Sequence, residues 1–415
     1  MKINYLLVTL LLFTFFTISF ITNLLAPLFP ALIESYDIGL ALAGFFAFAF
    51  FIAYGVMSIP AGLLVQQFGE KKIMQLAFLL ALIGSVIFVT MPTFFVAMLA
   101  LFLIGCAMAM LQVAINPLLR ASGGAHNFAV LSVAAQLMFG LAASISPLVY
   151  SHIAGSANRG EKSWLLQWVP ENMSWLSMYL IFALVCVVML VAVSLVPMAK
   201  KADDNSETLH LKDSLALLKD RTVIKFFFAI AAYVAIEQGV ANSISVFLER
   251  YHQIDPQTQG AQVVSHFWLA LTLGCLLGIV LLKLFNAKRV LQGFSVAASA
   301  CFIAAIFGSK EVAVMAFPAV GFFLSIMWSV IFSLALNSVS YGHGAVSGVL
   351  CTGIIGGALA SPTIGLISDL TNSLQLALLI VLIPLVYLFS VGIWAKPLVN
   401  NHTINIFKRN AQTSI

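Results

Sequence analysis

The chain consists of long apolar runs separated by short polar connections. Each run is long enough for a helix to cross a bilayer, which takes about 20 apolar residues. None alternates apolar with polar positions over short segments, as the strands of a membrane barrel do. The pattern therefore predicts an all-α membrane protein with twelve transmembrane helices. The predicted spans are 5–31, 40–65, 73–91, 94–119, 128–153, 175–197, 223–248, 262–285, 290–308, 312–336, 345–368 and 374–394.

The composition supports a membrane location. Hydrophobic residues make up 62% of the chain and charged residues only 8%, against about 25% charged in a typical soluble domain. Such a chain cannot cover itself with a polar surface in water. At the amino terminus, the apolar run after Lys2 continues past Phe20 to Ala26 without a small-residue cleavage site. We therefore interpret it as the first membrane helix and not as a signal peptide.

The most polar connection, residues 199–220, divides the chain into two halves of six predicted helices. The halves echo one another weakly, since Gly62 precedes a basic pair after the second span and Gly278 precedes one after the eighth. Parallel repeats of this kind occur in transporters that bind substrate between their halves. The predicted units are a first six-helix bundle, a cytoplasmic connection, a second six-helix bundle and a cytoplasmic tail, at 1–198, 199–222, 223–395 and 396–415.

Basic residues predict the orientation. All but four of the 20 lysines and arginines would share the side of both termini. The positive-inside rule places that side in the cytoplasm, so we expect a multi-pass protein of the inner cell membrane. A miscounted helix would move later loops to the other side and largely cancel the bias. The net charge of +5 is scattered among loops, so no nucleic-acid binding is expected.

Glu237 is the one acidic residue, of 15 in the chain, that lies deep within a predicted span. An ionised carboxylate in the bilayer is costly and usually faces a protein interior or a wet cavity. Because a low dielectric disfavours the charged form, such a group can bind and release a proton as its surroundings change. We predict that Glu237 couples protons to transport. The alternative is a permanently protonated Glu237 bonded to a neighbouring helix.

Uncharged polar residues at mid-depth are the candidate substrate ligands. Amides offer both donors and acceptors, which suits a neutral polyol or sugar, and a tryptophan offers a flat face to a sugar ring. Hydrogen bonding between helices is the alternative for each amide, and packing is the alternative for the tryptophan. The predicted substrate-binding residues are Asn23, Gln112, Asn116, Gln136, Gln238, Asn242 and Trp328.

Motifs of enzymes and pumps are absent from the sequence. It contains no metalloprotease, nucleophile-elbow or Walker pattern, so we expect neither an enzyme nor an ATP-driven pump. All five cysteines fall inside apolar runs, without the spacing of metal or redox sites. No cofactor and no metal are predicted.

Several stretches resemble the fucose:proton symporter family of the major facilitator superfamily, glucose/galactose-type members in particular. They are LQVAINP at 111–117, SIPAGLL at 58–64, SIMWSVIFSLA at 325–335 and GGALASPTIGLISD at 356–369. Tyr233, Val234 and Glu237 match that family's seventh-helix Y-V-G-x-E pattern. The resemblance implies the twelve-helix major facilitator fold, alternating access, proton-coupled uptake of sugars and a monomer.

The chain also departs from the family pattern. Residues 25–26 are Leu-Ala where the family often has N-D, and residues 131–133 are Leu-Ser-Val where it has R-L-N. Gln112 stands where fucose transporters carry a glutamate, and residues 66–67 are Gln-Gln in place of D-R in the superfamily loop motif. These departures concern the usual proton site and the substrate more than the fold.

Three hypotheses follow from the sequence. In the first, the chain is a secondary active transporter of a small polar solute, namely a sugar or a related organic compound, driven by protons through Glu237. The second is an exporter of drug-like or metabolic compounds on the same fold, and the third is a membrane sensor without transport. In the first hypothesis, four basic residues help orient the chain and latch its cytoplasmic side: Lys71, Lys72, Lys288 and Arg289.

Overall fold

The computed structural model describes residues 5–123, 128–159, 164–198, 220–339 and 343–397, and all structural statements concern these residues. Most of the predicted central connection and the tail beyond residue 397 lie outside them. Within this part of the chain no strand occurs, and twelve helical spans are long and apolar enough to cross a membrane. The prediction of an all-α protein with twelve transmembrane spans is confirmed.

Eight of the spans are single helices, sometimes preceded by a short irregular turn. They are span 2 (Leu40–Phe68), span 3 (Glu70–Thr90), span 4 (Phe94–Gly123), span 5 (Phe128–Asn158), span 6 (Ser177–Leu195), span 7 (Arg221–His252), span 8 (Ala261–Leu284) and span 9 (Ala287–Phe307). The turns before spans 6 and 8 are Leu166–Trp168, Glu171–Leu176 and Pro256–Gly260.

The other four spans are interrupted. Span 1 comprises Tyr5–Thr22 and Leu25–Tyr36, and span 10 comprises Lys310–Leu324 and Met327–Asn337. Span 11 comprises His343–Thr352, Gly353–Ile355 and Gly356–Thr371, and span 12 comprises Leu374–Leu378, Leu379–Val381 and Leu382–Trp394.

The break in span 1 has a covalent cause. Pro27 has no backbone N–H and its ring clashes with the carbonyl four residues earlier, which belongs to Asn23. The helix therefore stops at Thr22 and starts again at Leu25. In a membrane, irregular backbone of this kind is tolerated only where it is buried in protein or lines a cavity.

Capping side chains fix several helix ends beyond the apolar runs. Asp220 accepts hydrogen bonds from the backbone N–H groups of Thr222 (2.7 Å) and Val223 (3.4 Å), and Asn286 accepts one from Lys288 (2.9 Å). Span 7 is accordingly longer than the predicted 223–248, because its polar ends continue the helix past the apolar stretch. Hydropathy marks the part of a helix that suits lipid and does not mark the cap.

The two halves pack in the same way. In the first half, span 4 lies against spans 2 and 3, span 3 against span 6, and span 1 against span 5. In the second half, span 10 lies against spans 8 and 9, span 9 against span 12, and span 7 against span 11. Each pair recurs six spans later, so the chain is a six-span unit used twice. The halves meet along spans 2 and 11 and along spans 5 and 8.

Two glycines show how closely this repeated packing is copied. A Cβ atom at Gly105 in span 4 would overlap the carbonyl oxygen of Phe50 in span 2. A Cβ atom at Gly321 in span 10 would overlap the carbonyl oxygen of Phe267 in span 8. Small residues allow backbones to approach at membrane helix interfaces, and these two sites are equivalent in the two halves.

Candidate functional site

A cavity of about 170 Å³ lies between the two halves and is lined by residues of spans 1, 2, 4, 5, 7, 8, 10 and 11. Its walls combine aromatic rings with a few polar groups. Six of the residues that the sequence predicts as substrate or proton ligands line it. They are Asn23, Gln112, Gln136, Glu237, Gln238 and Trp328.

Glu237 supplies the only carboxylate that the described residues contribute to the lining of this cavity. The phenolic hydroxyl of Tyr233, one helical turn earlier in span 7, donates a hydrogen bond of 2.6 Å to Oε1 of Glu237. Residues four apart share one face of a helix, so this pairing follows from the sequence spacing. Tyr233 is buried, and its ring centroid lies 6.0 Å from that of Trp328. The carboxylate is thus held in place at the cavity wall by a buried donor.

Asn23 presents an unpaired acceptor to the cavity. It sits at the break in span 1 and is 2% exposed. Its side-chain nitrogen donates to the carbonyl oxygen of Ser19 (3.0 Å) and to the Ser19 hydroxyl (3.1 Å), which leaves Oδ1 without a partner among the described residues. A buried polar atom without a partner costs about 1–3 kcal/mol. A ligand hydroxyl that donates to Oδ1 would remove that cost.

Two further unpaired polar atoms line the same cavity. The indole N–H of Trp268 in span 8 and the hydroxyl of Ser325 in span 10 are buried and have no partner in the described structure. Ser325 lies at the break in span 10, where its carbonyl accepts a bond from the Cys275 thiol (3.2 Å). Sequence reasoning did not select these residues. An indole or hydroxyl carries no charge, and both are common in membrane helices.

Two predicted ligands are not placed at the cavity. Asn242 is buried between spans 7 and 11, and its side-chain nitrogen donates to the hydroxyl of Ser361 (2.9 Å). That arrangement is the helix–helix bond named above as the alternative for each amide. The side chain of Asn116 lies outside the described part of the structure.

Lys71 and Lys288 occupy equivalent positions at one face of the molecule, which we call the basic face. The Lys71 ammonium donates to the carbonyl oxygens of Ser194 and Val196, each at 2.9 Å, at the end of span 6. The Lys288 ammonium likewise donates to the carbonyls at the end of span 12, those of Ile393 (3.3 Å) and Ala395 (2.7 Å). Lysine commonly satisfies the last carbonyls of a helix.

These lysine bonds do not join the two halves. The sequence predicts Lys71, Lys72, Lys288 and Arg289 as a latch. In the structure the bonds of Lys71 and Lys288 each stay within one half, and Lys72 and Arg289 are exposed. The described contacts therefore give Lys71 and Lys288 a role in packing the last helix of each half.

The opposite face, which we call the far face, holds the ends of spans 1 and 11 and is closed. On the far-face side of the molecule, Ser265 donates to the carbonyl of Ser144 (2.7 Å), and Ser151 donates to the carbonyl of Thr258 (3.2 Å). Both bonds join span 5 to the second half. A second cavity of about 230 Å³ shares Gln136 with the central one and runs along span 8 to Leu282, toward the basic face.

This geometry defines a membrane transporter: two equivalent six-span halves enclose a cavity with a few polar groups among apolar and aromatic side chains, and it is shut on one face and extended toward the other. The chain belongs to the Major Facilitator Superfamily, whose family model matches residues 11–362. The expected family, fold and transporter class are confirmed, and members of this class are not enzymes.

Individual relatives match over most of their length. The chain is 26% identical to a glucose/galactose transporter of Brucella abortus over 91% of both chains. It is 23% identical to the L-fucose-proton symporter of Escherichia coli over 88% of this chain and 87% of that one. A crystal structure of a point variant of the Escherichia coli fucose:proton symporter superposes with a TM-score of 0.69 and 20% identity. The match covers 95% of this chain and 100% of that chain.

Proposed function

We propose that the chain imports a neutral sugar, or a related small polar solute, together with protons that bind at Glu237. The observation that carries this proposal is the Tyr233–Glu237 pair at the wall of the cavity between the halves. No other charged side chain lines the described part of the cavity. The protonation state of Glu237 therefore determines the charge of the cavity. The names of the relatives, a glucose/galactose transporter and an L-fucose-proton symporter, support both the substrate class and the driving ion.

The chemistry of the cavity favours an uncharged ligand. Its lining includes no lysine, arginine or histidine among the described residues, so nothing there would neutralise an acidic substrate. An acceptor at Asn23 and donors at Trp268 and Ser325 match the hydroxyl groups of a polyol, each of which can both donate and accept. This set of uncharged acceptors and donors supports a small polar solute over a drug-like compound.

In the proposed cycle, the two halves close around the cavity only when Glu237 is protonated. When the cavity opens to the far face, Glu237 takes up a proton and the sugar binds beside it. The halves then close around an uncharged cavity, since closing over an ionised carboxylate would bury a charge without a partner. Opening toward the basic face hydrates the carboxyl group and releases proton and sugar. Rocking of the two halves about a fixed midplane site is the usual motion of repeat-built transporters.

The proposed setting follows from the charge distribution. The basic face lies in the cytoplasm, both termini included, and the chain sits in the inner cell membrane. The far face then lies outside the cell, so that the described conformation is inward-open. We further propose that the chain works as a monomer, because a single copy supplies the whole lining of the cavity.

Transport by purified protein in proteoliposomes tests the proposal. Labelled glucose, galactose and fucose are offered with an inward proton gradient, and separately as exchange at equal pH. Glu237→Gln is expected to abolish accumulation driven by the gradient and to retain exchange. The matched control is Glu249→Gln, an exposed carboxylate on the same helix, which should behave as the wild type. Full accumulation by the Glu237→Gln variant would overturn the proton role. Binding without any flux in the wild type would favour the sensor.

A further inference from the structure

The end of span 11 has no part in the cavity and yet makes a specific contact with the other half. Oδ2 of Asp369 accepts a hydrogen bond of 3.1 Å from the backbone N–H of Ala41. Ala41 is the second residue of the helix Leu40–Phe68, which belongs to span 2 in the first half. The contact therefore joins residues 328 positions apart across the interface between the halves.

This contact is a helix cap supplied by another part of the chain. The first N–H groups of a helix lack partners, and an Asp, Asn, Ser or Thr side chain just before the helix normally accepts from the second or third of them. Span 2 has Gly39 at that position, which has no side chain to accept such a bond. Asp369 fills the role, and its negative charge also suits the positive end of the helix.

Glycines bring the two backbones together at this point. A Cβ atom at Gly44 in span 2 would lie 2.5 Å from the backbone nitrogen of Pro362, and one at Gly365 in span 11 would lie 2.5 Å from the Cα of Ala41. Neither contact involves a flexible side chain that could move away. The far-face ends of spans 2 and 11 therefore meet backbone to backbone, and Asp369 reaches its cap position only while they do.

We propose that Asp369 is a conformational latch: it caps span 2 from the other half only while the far face is closed, and so favours that state at rest. The cavity can open to the far face only if spans 2 and 11 separate there, which breaks the cap. At the basic face, by contrast, the bonds of Lys71 and Lys288 stay within each half. The description of the closed face as the outer one rests on the proposed function, whereas the latch itself needs neither sugar nor protons.

The distance between the halves at the far face tests the latch. Spin labels are attached at Thr93→Cys and Lys310→Cys, exposed and equivalent positions after spans 3 and 9, in protein whose five native cysteines are replaced. Distance distributions are recorded in liposomes without substrate. Asp369→Ala is expected to raise the ratio of open to closed far face about five-fold, the loss typical of an N-cap. Asp369→Asn, which keeps an acceptor, should give a smaller rise and covers the case in which the alanine variant fails to fold.

Two controls separate a latch from ordinary helix stabilisation. Glu311→Gln changes another exposed far-face carboxylate whose partner, Ser309, lies in its own half, and it should leave the distances unchanged. Gly39→Ser placed in the Asp369→Ala background restores a cap within span 2 but not the bond across the halves, so the shift should persist. Unchanged distances in both Asp369 variants, or full recovery with Gly39→Ser, would overturn the latch. Counterflow of sugar by the same variants tests the proposed function separately.

Discussion

The hydroxyl of Tyr233 and the carboxylate of Glu237 are 2.6 Å apart on one face of span 7. A hydrogen bond to an ionised group contributes about 1.5–3 kcal/mol, so Tyr233 stabilises the deprotonated carboxylate. The pair occupies the wall of the cavity, where the described lining offers no other acid and no basic residue. The central charge of the proposed mechanism thus has a buried donor in Tyr233, and the side chain of Gln238 is a second hydrogen-bonding partner.

Tyr233→Phe should therefore weaken coupling more than binding. Without the donor, the ionised carboxylate of Glu237 loses a stabilising hydrogen bond, and we expect gradient-driven sugar uptake to fall about ten-fold, as loss of a bond to a charged group would give. Exchange at equal pH should change little. Tyr387→Phe is the matched control, because its hydroxyl bonds the carbonyl of Lys225 and is remote from the cavity lining. Equal losses of uptake and exchange would argue against a coupling role for Tyr233.

Asn23→Ala should reduce sugar affinity by removing the unpaired acceptor at the break in span 1. The expected loss is about ten-fold, which corresponds to about 1.4 kcal/mol and lies in the lower half of the 1–3 kcal/mol range for a buried polar group. Binding is measured for the wild type and the variant with the parent sugar and with each monodeoxy analogue. The analogue that lacks the hydroxyl facing Asn23 should bind both proteins alike. If Asn23→Ala lowers the affinity for the parent sugar and for every analogue by the same factor, Asn23 does not contact the sugar.

Asn242→Ala should affect stability and leave the Michaelis constant for transport unchanged. The residue bonds Ser361 between spans 7 and 11, and such interhelical bonds contribute about 0.6 kcal/mol on average, up to about 2. Thermal unfolding in detergent should show a lower melting temperature. The double variant with Ser361→Ala should be more stable than the sum of the two single losses predicts, because both changes remove the same bond. A raised Michaelis constant with unchanged stability would place Asn242 at the substrate.

Gly44→Ala should obstruct closure of the far face. The added Cβ would lie 2.5 Å from the backbone nitrogen of Pro362, which cannot move without shifting a helix. We expect uptake to fall at least ten-fold and the distance between spin labels at the exposed positions Thr93→Cys and Lys310→Cys to increase. Gly293→Ala is the control, since nothing lies within 4 Å of its added Cβ and removing a helical glycine is mildly stabilising. Normal uptake by Gly44→Ala would contradict the observed packing.

Hydropathy and charge were sufficient to predict the twelve spans and the depth of Glu237, because lipid imposes a strong and simple constraint on each residue. They could not tell which amides face the cavity. Asn23 and Asn242 look alike in sequence, yet one lines the cavity beside a proline-induced break and the other joins two helices. The difference depends on how each helix is rotated, and hydrophobic periodicity is weak in spans that are apolar on every side.

The sequence also carries no signal for residues that act through their shape or through contacts with the backbone. Trp268 and Ser325 carry no charge that would mark them as costly in a membrane, and their unpaired atoms become evident only once neighbouring helices are in place. In the described conformation the partners of Lys71 are carbonyls of its own half, and its role as a cytoplasmic latch stays a prediction. A sequence shows that a cation is present and does not show which helix end lies within its reach.

Proton movement on addition of sugar is the most direct test of the role of Glu237. Proteoliposomes in weak buffer, with a pH indicator outside and no initial gradient, receive transported sugar in a single addition. The account predicts that the external medium becomes more alkaline with the wild type as protons enter with sugar, and that Glu237→Gln gives no pH change while still carrying out sugar exchange. An unaltered pH change with Glu237→Gln would contradict it.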